Sequence, residues 1–143
     1  MNYCVDCAQC KDGRCVQKDE LNDALLKIAS CDAIVMISPV YFGGVTAQLK
    51  TLIDRTRPLR RNNFMLKNKV GAAIALGGSR NGGQEMVINQ IHQAMHIHGM
   101  IVVGDNGHFG GIIHSPFSKD DIGKKTITDT ITKVIETISL IKK

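Results

Sequence analysis

Four cysteines stand close together near the amino terminus, and their spacing is the strongest chemical signal in the sequence. Cys4, Cys7, Cys10 and Cys15 form a C-x2-C-x2-C-x4-C pattern, so four thiols fall within twelve residues. Structural zinc sites usually join two cysteine pairs across a long loop, whereas one compact loop of thiolates is typical of segments that wrap a cubane cluster. The spacing therefore favours a [4Fe–4S] cluster, with zinc and disulfide bonding as the alternatives.

Two neighbouring features bear on this cysteine segment. Asp12 and Gly13 precede the fourth cysteine and are expected to form the turn that brings its thiol back to the others. Cys31 stands apart at the entry to an apolar segment, where we expect a small core residue and no metal ligand. No signal peptide is visible in the sequence, and clustered thiols fit a reducing compartment, so we expect a cytoplasmic protein.

Two glycine-rich segments offer backbone amides and aromatic faces suited to a flat ligand. The segment Ser38–Gly43 carries Tyr41 and Phe42 and is expected to line such a ligand, with a plain strand-to-helix connection as the alternative. The segment Gly78–Gln84 opens a helix, and its amides and Arg80 are expected to bind a polar edge of the ligand. The candidate cofactor-binding residues are Ser38, Pro39, Val40, Tyr41, Phe42, Gly43, Gly78, Ser79, Arg80, Asn81, Gly82, Gly83 and Gln84.

These segments need a scaffold, and the hydrophobic pattern predicts strands that alternate with helices. The expected strands are Ala33–Ile37, Val70–Leu76 and Met100–Val103, which are short apolar runs typical of strands buried on both faces. Such a pattern predicts an α/β fold with a parallel sheet, in which ligands bind at the carboxyl ends of the strands. The loops expected at that edge are Ser38–Gly44, Gly77–Gly83 and Gly104–Ser118.

Four helices are predicted from apolar side chains at helical spacing. Asp19 is expected to cap the first helix and Thr46 the second. The third is expected to run from about Gln84 to His98 and to stop at Gly99. The inner stripe of the last is expected to hold Ile127, Ile131, Val134, Ile135 and Ile138.

Composition narrows the class of protein further. The 143 residues are 43% hydrophobic and 22% charged, which fits one domain with a single core. The net charge is +5, but only six residues are aromatic and no recognisable module is present, so nucleic-acid binding is not expected. The apolar runs are too short to cross a membrane.

Two groups of basic side chains each allow more than one functional interpretation. His92 and His96 stand four residues apart with His98 close by, and without accompanying carboxylates a packed or intersubunit role is favoured over a metal site. A basic stretch is either ordinary solvated surface or a docking surface for an acidic redox partner. It consists of Arg55, Arg57, Arg60, Arg61, Lys67 and Lys69.

Together these motifs resemble the archaeal iron–sulfur flavoproteins, which are flavodoxin-like members of the NADPH-dependent FMN reductase superfamily. The resemblance implies a [4Fe–4S] cluster, FMN, electron exchange with ferredoxin, and a homotetramer in which the flavin of one subunit lies near the cluster of a neighbour. It covers essentially the whole chain and rests on the compact cysteines, Ser38–Gly43, Gln48–Lys50, Asp54-Arg55, Leu66–Gly71, Gly77–Glu85, His96–Met100, Gly104–Asn106 and His108–Gly111.

The sequence departs from the family pattern at its beginning. Members normally start with a strand, a Gly-Ser-Pro-Arg-type loop that holds the FMN phosphate, a helix and a second strand, whereas this sequence starts at the cysteine segment. A flavodoxin-like sheet of order 2-1-3-4-5 would then lack its central strand and expose an apolar edge. We therefore expect an N-terminally truncated flavodoxin-like sheet with a compact cysteine loop, and doubtful retention of FMN.

The expected organisation is one domain over 1–143, with the cluster loop in 1–18 and the remaining α/β portion in 19–143. The expected function is electron transfer between ferredoxin, the cluster and FMN. One alternative is an NAD(P)H-dependent flavin or quinone reductase, and another is a cofactor-poor metal-binding or assembly module. No Ser–His–Asp or paired-carboxylate pattern is visible, so we predict no catalytic side chains, and the chemistry would be that of the cofactors.

Overall fold

Helices and strands alternate along the computed structural model, which describes residues 1–142. After the cysteine segment, the chain forms one helix, one strand, two consecutive helices, a long strand, a helix, two short strands and a final long helix. A single 3-10 turn, Phe117–Lys119, precedes the last helix. The elements are α1 Leu21–Ser30, β1 Ala33–Pro39, α2 Ala47–Arg55, α3 Arg57–Arg61, β2 Val70–Gly77, α4 Gln84–Ile97, β3 Ile101–Val102, β4 Gly111–His114 and α5 Asp121–Ile141.

The sheet is parallel and is centred on β2. β1 pairs with β2 along its whole length, from Ala33 opposite Val70 to Pro39 opposite Leu76. On the other side of β2, β3 pairs with its beginning and β4 with its end. This arrangement confirms the predicted α/β fold with a parallel sheet and flanking helices.

The strand β4 was not predicted from the sequence. It lies inside the segment Gly104–Ser118, which we expected to be a loop. The predicted strand Met100–Val103 is only two residues long, because the chain leaves the sheet at this point and returns as β4. Gly110 makes the return possible, since a side chain there would collide with the carbonyl group of Ala73. Glycines beside a four-residue strand give too short a pattern to predict it.

The two faces of the sheet carry unequal cores. On one face α4 and α1 bury a large cluster that includes Leu25, Val87, Ile91 and Met95, all with no solvent exposure. On the other face α5 packs through Val134 against the beginning of β2. The larger core therefore lies on the face of the sheet that α4 covers, and α4 is the helix that begins at the Gly78–Gln84 loop.

Burial on the α5 side is lower than the sequence predicts. Ile37 is 63% exposed, so β1 is not buried on both faces. Ile131 and Ile135 of the predicted inner stripe are exposed as well. Buried instead are Thr126 and Thr130, whose hydroxyl groups bond backbone carbonyls and let α5 approach β4 closely.

The predicted helix ends are partly confirmed. The Thr46 side chain accepts a hydrogen bond from the Leu49 amide at 3.1 Å, and α4 ends before Gly99, whose φ is 71°. At α1, however, Glu20 occupies the N-cap position, and the predicted cap Asp19 directs its carboxylate mainly to Arg55. Across residues 1–142, no helix combines the length and the apolar character needed to span a membrane.

Candidate functional site

The cysteine segment forms an irregular loop with its thiols accessible. Cys7 is exposed, and Cys4, Cys10 and Cys15 are half-buried. Asp6 and Ala8 have φ values of 48° and 56°, a conformation that side chains other than glycine adopt rarely. No backbone amide between residues 3 and 10 donates a hydrogen bond within the described part of the chain. Unbonded amides in a tightly turned loop are typical of the concavities that hold anionic groups, including iron–sulfur clusters.

A tight turn closes the loop before its fourth cysteine, as the sequence predicts. Lys11 and Arg14 exchange two backbone hydrogen bonds of 3.1 and 2.8 Å. Asp12 and Gly13 between them have φ values of 49° and 74°. Gly13 is buried against Met65, and a Cβ there would lie 3.0 Å from the methionine sulfur. The turn therefore needs glycine both for its backbone conformation and for its close packing on the segment after α3.

Arg55, the last residue of α2, joins the two ends of the cysteine segment. Its side chain is 1% exposed. Its terminal nitrogens donate to the Asn2 carbonyl at 2.6 Å, to Gln17 Oε1 at 3.1 Å, and to both carboxylate oxygens of Asp19 at 2.9 Å. The hydrogen bond from Arg55 lowers the pKa of Asp19 to about 2. A permanently charged pair thus holds the beginning and the end of the loop against the helix.

Further contacts fix the middle of the loop and its fourth cysteine. Arg57 pairs with Asp6, and Arg61 donates to the Ala8 carbonyl at 3.1 Å. From α1, Asn22 receives a hydrogen bond from the Cys15 amide at 2.8 Å and donates one to the Cys15 carbonyl at 3.0 Å. The loop is therefore anchored at its ends and along its length.

These contacts change the interpretation of the basic stretch. Arg55, Arg57 and Arg61 bind the cysteine loop, so they are neither simple solvated surface nor wholly free for docking. Arg60 stacks over Phe64, and Lys67 is exposed. The pattern of charges along the sequence could not reveal this, because each partner lies more than 35 residues away.

The cysteine loop fits a cubane cluster better than a single metal ion. Among residues 1–142, no three cysteine, histidine or acidic side chains already converge at metal-binding distance. A cubane does not need such convergence, because each thiolate binds a different iron. Arg55 Nε, moreover, is buried and has no hydrogen-bond partner in the described chain, although its guanidinium bonds Asn2 and Gln17 on either side of the four cysteines. A sulfur of a bound cluster would supply the missing acceptor.

The fifth cysteine lies elsewhere, and its predicted burial is wrong. Cys31 is exposed, and its thiol donates to the Lys27 carbonyl at 3.2 Å at the end of α1. The strand it precedes begins two residues later, so the cysteine remains outside the core. Lys69 of the basic stretch donates to the Cys31 carbonyl at 2.6 Å.

The first glycine-rich loop turns back on itself and presents aromatic side chains to solvent. Tyr41 and Gly44 exchange backbone hydrogen bonds of 3.0 and 3.1 Å, with Phe42 and Gly43 at φ values of 48° and 76°. Tyr41 is 61% exposed and Phe42 fully exposed. Gln90 of α4 holds the end of the loop by accepting from the Val45 amide at 2.9 Å. A rigid turn with unburied aromatic faces is available for stacking on a flat ligand.

The second glycine-rich loop is fixed by Gln84. This side chain is 3% exposed, and its Nε2 donates to the Ser79 carbonyl at 2.7 Å and, weakly, to the Ile113 carbonyl of β4. Gly77 has to be glycine, since a Cβ there would overlap the Gln84 amide. Arg80 is exposed and donates no hydrogen bond within the described chain, which leaves its guanidinium available for an anionic group.

The two glycine-rich loops lie side by side at the carboxyl ends of β1 and β2. A Cβ on Gly83 would lie 3.2 Å from Val40 Cγ1 and 3.6 Å from the Gly43 Cα. The predicted cofactor-binding segments Ser38–Gly43 and Gly78–Gln84 are thus brought together. The cysteines lie at the other end of α2, beside Arg55.

A cavity beside the second loop contains a histidine that the sequence analysis did not single out. The cavity, of about 520 Å³, is lined by the loop and α4 from Arg80 to Met86 and by His114 and Asp120. His114 Nδ1 lies 2.6 Å from Asp120 Oδ2. Burial opposes ionisation of Asp120, but hydrogen bonds from Gly123 and His114 keep its pKa below the usual range. The pair mainly joins β4 to the start of α5.

The three histidines noted in the sequence do not form a metal site within the described residues. His98 is buried, and its Nε2 lies 2.7 Å from Thr56 Oγ1. Burial, with a contribution from Arg60, lowers the pKa of His98. Burial also lowers the pKa of His92, which His96 lowers further. The packed role favoured from the sequence therefore describes His98 well.

A parallel α/β sheet with adjoining glycine-rich loops at the carboxyl ends of its strands defines a flavodoxin-like protein. Residues 2–111 match the family model described as NADPH-dependent FMN reductase. The chain is 51% identical over 141 residues to an iron–sulfur flavoprotein of Methanosarcina thermophila, covering 98% of this chain and 74% of that protein. It belongs to the iron–sulfur flavoproteins of the NADPH-dependent FMN reductase family.

Two further comparisons agree with this assignment. An iron–sulfur flavoprotein of Methanocaldococcus jannaschii is 50% identical over 151 residues, covering all of this chain and 78% of that protein. A solved WrbA-like flavodoxin from Agrobacterium tumefaciens superimposes with a TM-score of 0.70 at 21% identity, covering 85% of this chain and 74% of the other. The similarity to the WrbA-like flavodoxin concerns the fold alone. The resemblance seen in the sequence is confirmed.

Proposed function

We propose that this chain is an electron-transfer iron–sulfur flavoprotein that passes electrons between ferredoxin, a [4Fe–4S] cluster and FMN. A flavoprotein redox role follows from the family, whereas the cofactor positions and the ferredoxin partner are part of the proposal. The observation that carries it is the four-cysteine loop, anchored at both ends by Arg55 and left with unbonded amides and one orphan donor. Unbonded amides and an orphan donor beside four thiols support this proposal, because a loop that holds an anionic cluster would use them.

In this proposal Cys4, Cys7, Cys10 and Cys15 hold the cluster, and Cys31 takes no part. A bound cluster would supply a one-electron carrier. The protein's contribution is to expose the thiols, since Cys7 is exposed and the other three are half-buried. Burial raises the pKa of Cys10, and binding to iron would favour its thiolate over the thiol.

FMN would be held by the two glycine-rich loops. Tyr41 and Phe42 offer exposed aromatic faces, and Arg80 offers a free guanidinium beside the backbone of Gly78–Gln84. A bound flavin would accept one or two electrons. We further propose one domain with the cluster loop in residues 1–18, a cytoplasmic location in keeping with five unpaired thiols, and assembly as a homotetramer.

A second candidate is an NAD(P)H-dependent flavin or quinone reductase. It is favoured by the family description and by a 36% identical stretch of 78 residues in an "NAD(P)H dehydrogenase (quinone)" of Trichlorobacter lovleyi. That match covers 54% of this chain and 38% of the other protein. Oxidation of NADPH by the anaerobically purified protein, with added FMN and a quinone, separates the two candidates. Turnover without ferredoxin would favour the reductase.

Alanine substitution of each cysteine tests the proposal. Loss of any one of Cys4, Cys7, Cys10 or Cys15 should lower iron per chain and abolish the low-temperature electron paramagnetic resonance signal of the reduced cluster. Cys31→Ala is the matched control, because this cysteine is exposed and lies at the far end of α1. Full iron content after loss of one of the four, or loss of iron in the Cys31 variant, would show that the assignment is wrong.

A further inference from the structure

Arg55 is a buried cation at the boundary between the cysteine loop and α2. Its side chain is 1% exposed, whereas the neighbouring Arg57 is 37% exposed. A guanidinium does not lose its proton in a protein, so this position carries a fixed positive charge. One carboxylate, that of the partly buried Asp19, faces it at 2.9 Å.

The donors of Arg55 are not all used by the protein. The terminal nitrogens bind the Asn2 carbonyl, Gln17 and the Asp19 carboxylate. The remaining donor, Nε, is buried and has no partner within residues 1–142. The hydrogen bond with Asp19 and, more weakly, the nearby Cys15 raise the pKa of this guanidinium. A buried donor without an acceptor is unfavourable, so the unused Nε needs an additional acceptor.

We infer that Arg55 is a positioning residue that helps to set the reduction potential of the cluster proposed above. Asp19 would act on this potential in the opposite direction. The inference rests on the proposed function. Its unused Nε–H would donate to a sulfur on the Cys15 side, and its charge would lie beside the same ligand. Hydrogen bonds to sulfur, net charge and solvent exposure are the features by which proteins tune such potentials.

The sign of the effect follows from charge. One-electron reduction of the cluster adds one negative charge and breaks no bond, with the electron supplied by the reductant. A nearby fixed cation stabilises the more negative state and raises the potential, and a nearby carboxylate does the opposite. Removing Arg55 should therefore make the potential more negative, and neutralising Asp19 should make it more positive. A purely structural role for the pair predicts no such opposition of sign.

The test is a dithionite titration of the full chain, followed by electron paramagnetic resonance, for the original protein and the variants Arg55→Gln and Asp19→Asn. At the midpoint potential of the original cluster, we expect about a tenfold change in the ratio of reduced to oxidised cluster in each variant, in opposite directions. For a one-electron couple this corresponds to about 59 mV. Arg60→Gln is the matched control, because Arg60 stacks on Phe64 and does not contact the cysteine loop.

Each result has a definite meaning. Opposite shifts in the two variants, with Arg60→Gln unchanged, support the inference. If Arg55→Gln does not fold, Asp19→Asn and Arg55→Lys, which keeps the charge but lacks Nε, carry the test: the potential should become more positive in the first and should shift by less than the tenfold equivalent in the second. Shifts of the same sign, or no shift in Asp19→Asn, overturn the inference. Absence of a cluster from the original protein would instead refute the proposed function.

Discussion

At the scale of single residues, the ion pair between Asp19 and Arg55 makes stability depend on pH. Asp19 has a folded-state pKa of about 2 against an ordinary value of 3.8. Because the folded-state value is the lower one, the pair contributes its full stability above pH 3.8 and loses it as the pH falls through about 2. At neutral pH this contribution is about 2 kcal/mol.

Asp19→Asn should therefore lower the free energy of unfolding at pH 7 by about 2 kcal/mol and have little effect near pH 2. Urea unfolding of the original protein and the variant, at a series of pH values between 2 and 7, measures this change in the free energy of unfolding. The control is Asp54→Asn, since Asp54 pairs with Lys50 on the exposed surface of α2 and should contribute less than about 1 kcal/mol at any pH. An equal loss at pH 7 and pH 2 would contradict the expectation.

Local turns could be predicted from the sequence, whereas contacts between residues far apart in the chain could not. The Asp12-Gly13 turn could be predicted from local backbone preferences, and the structure confirms it. The role of Arg55 was hidden, because its partners Asn2, Gln17 and Asp19 lie 36 to 53 residues earlier in the chain. Read along the sequence, it looked like one basic residue among several. Its burial on the cysteine loop becomes visible only in three dimensions.

At the scale of elements, Gln84, the first residue of α4, links the second glycine-rich loop to β4. Replacing it by methionine keeps the volume but removes the hydrogen bond to the Ser79 carbonyl, which should cost about 0.5–1.5 kcal/mol of stability. The loop would also lose its fixed shape, so flavin affinity should fall. Thermal unfolding and fluorescence titration measure the two effects.

Gln93→Met is the matched control for this prediction. Gln93 lies on the exposed side of the same helix and donates no hydrogen bond within the described residues. The control should therefore retain both stability and flavin affinity. If Gln84→Met bound flavin as well as the control does, the shape of the loop would not depend on this side chain.

Elements with a long hydrophobic pattern were predicted well, and short ones were not. The strands around Ala33 and Val70 and the helix from Gln84 stand close to their expected bounds. β4 was missed, because four residues with a leading glycine carry little periodicity. The exposure of Ile37 was also missed, since a continuous apolar run indicates a buried strand but not which neighbouring element would cover it.

At the scale of the whole molecule, the basic surface around the cysteine loop should steer an acidic redox partner. Arg60 and Lys67 are exposed beside the arginines that bind the loop, and the net charge is +5. Reduction by ferredoxin, followed by stopped flow, should slow as salt rises, because the screening length is about 8 Å at physiological ionic strength. Arg60→Gln combined with Lys67→Gln should weaken this dependence. A rate independent of salt would mean that the surface has no steering role.

The loops that adjoin at the sheet edge suit the flavin ring better than its phosphate. The first of them exposes Tyr41 and Phe42, whose aromatic faces suit stacking on a flat ring. A chain that holds FMN by its ring alone should show little preference for FMN over riboflavin, since each charge-assisted contact to the phosphate would add about 1.5–3 kcal/mol. Parallel fluorescence titrations decide this. A large preference for FMN would reveal a phosphate site that these residues form in another way.

The helix α2 connects the two candidate cofactor sites and separates them. It begins after the loop that carries Phe42 and ends at Arg55, and nine residues of helix span about 14 Å. Electronic coupling between redox centres decays exponentially with separation, so a stiff spacer of this length makes tunnelling within one chain slower than tunnelling between centres in contact. A second subunit that placed its flavin loop against this cysteine loop would offer a shorter path. In such an assembly, the rate of internal electron transfer would report subunit association, and dilution alone would slow it.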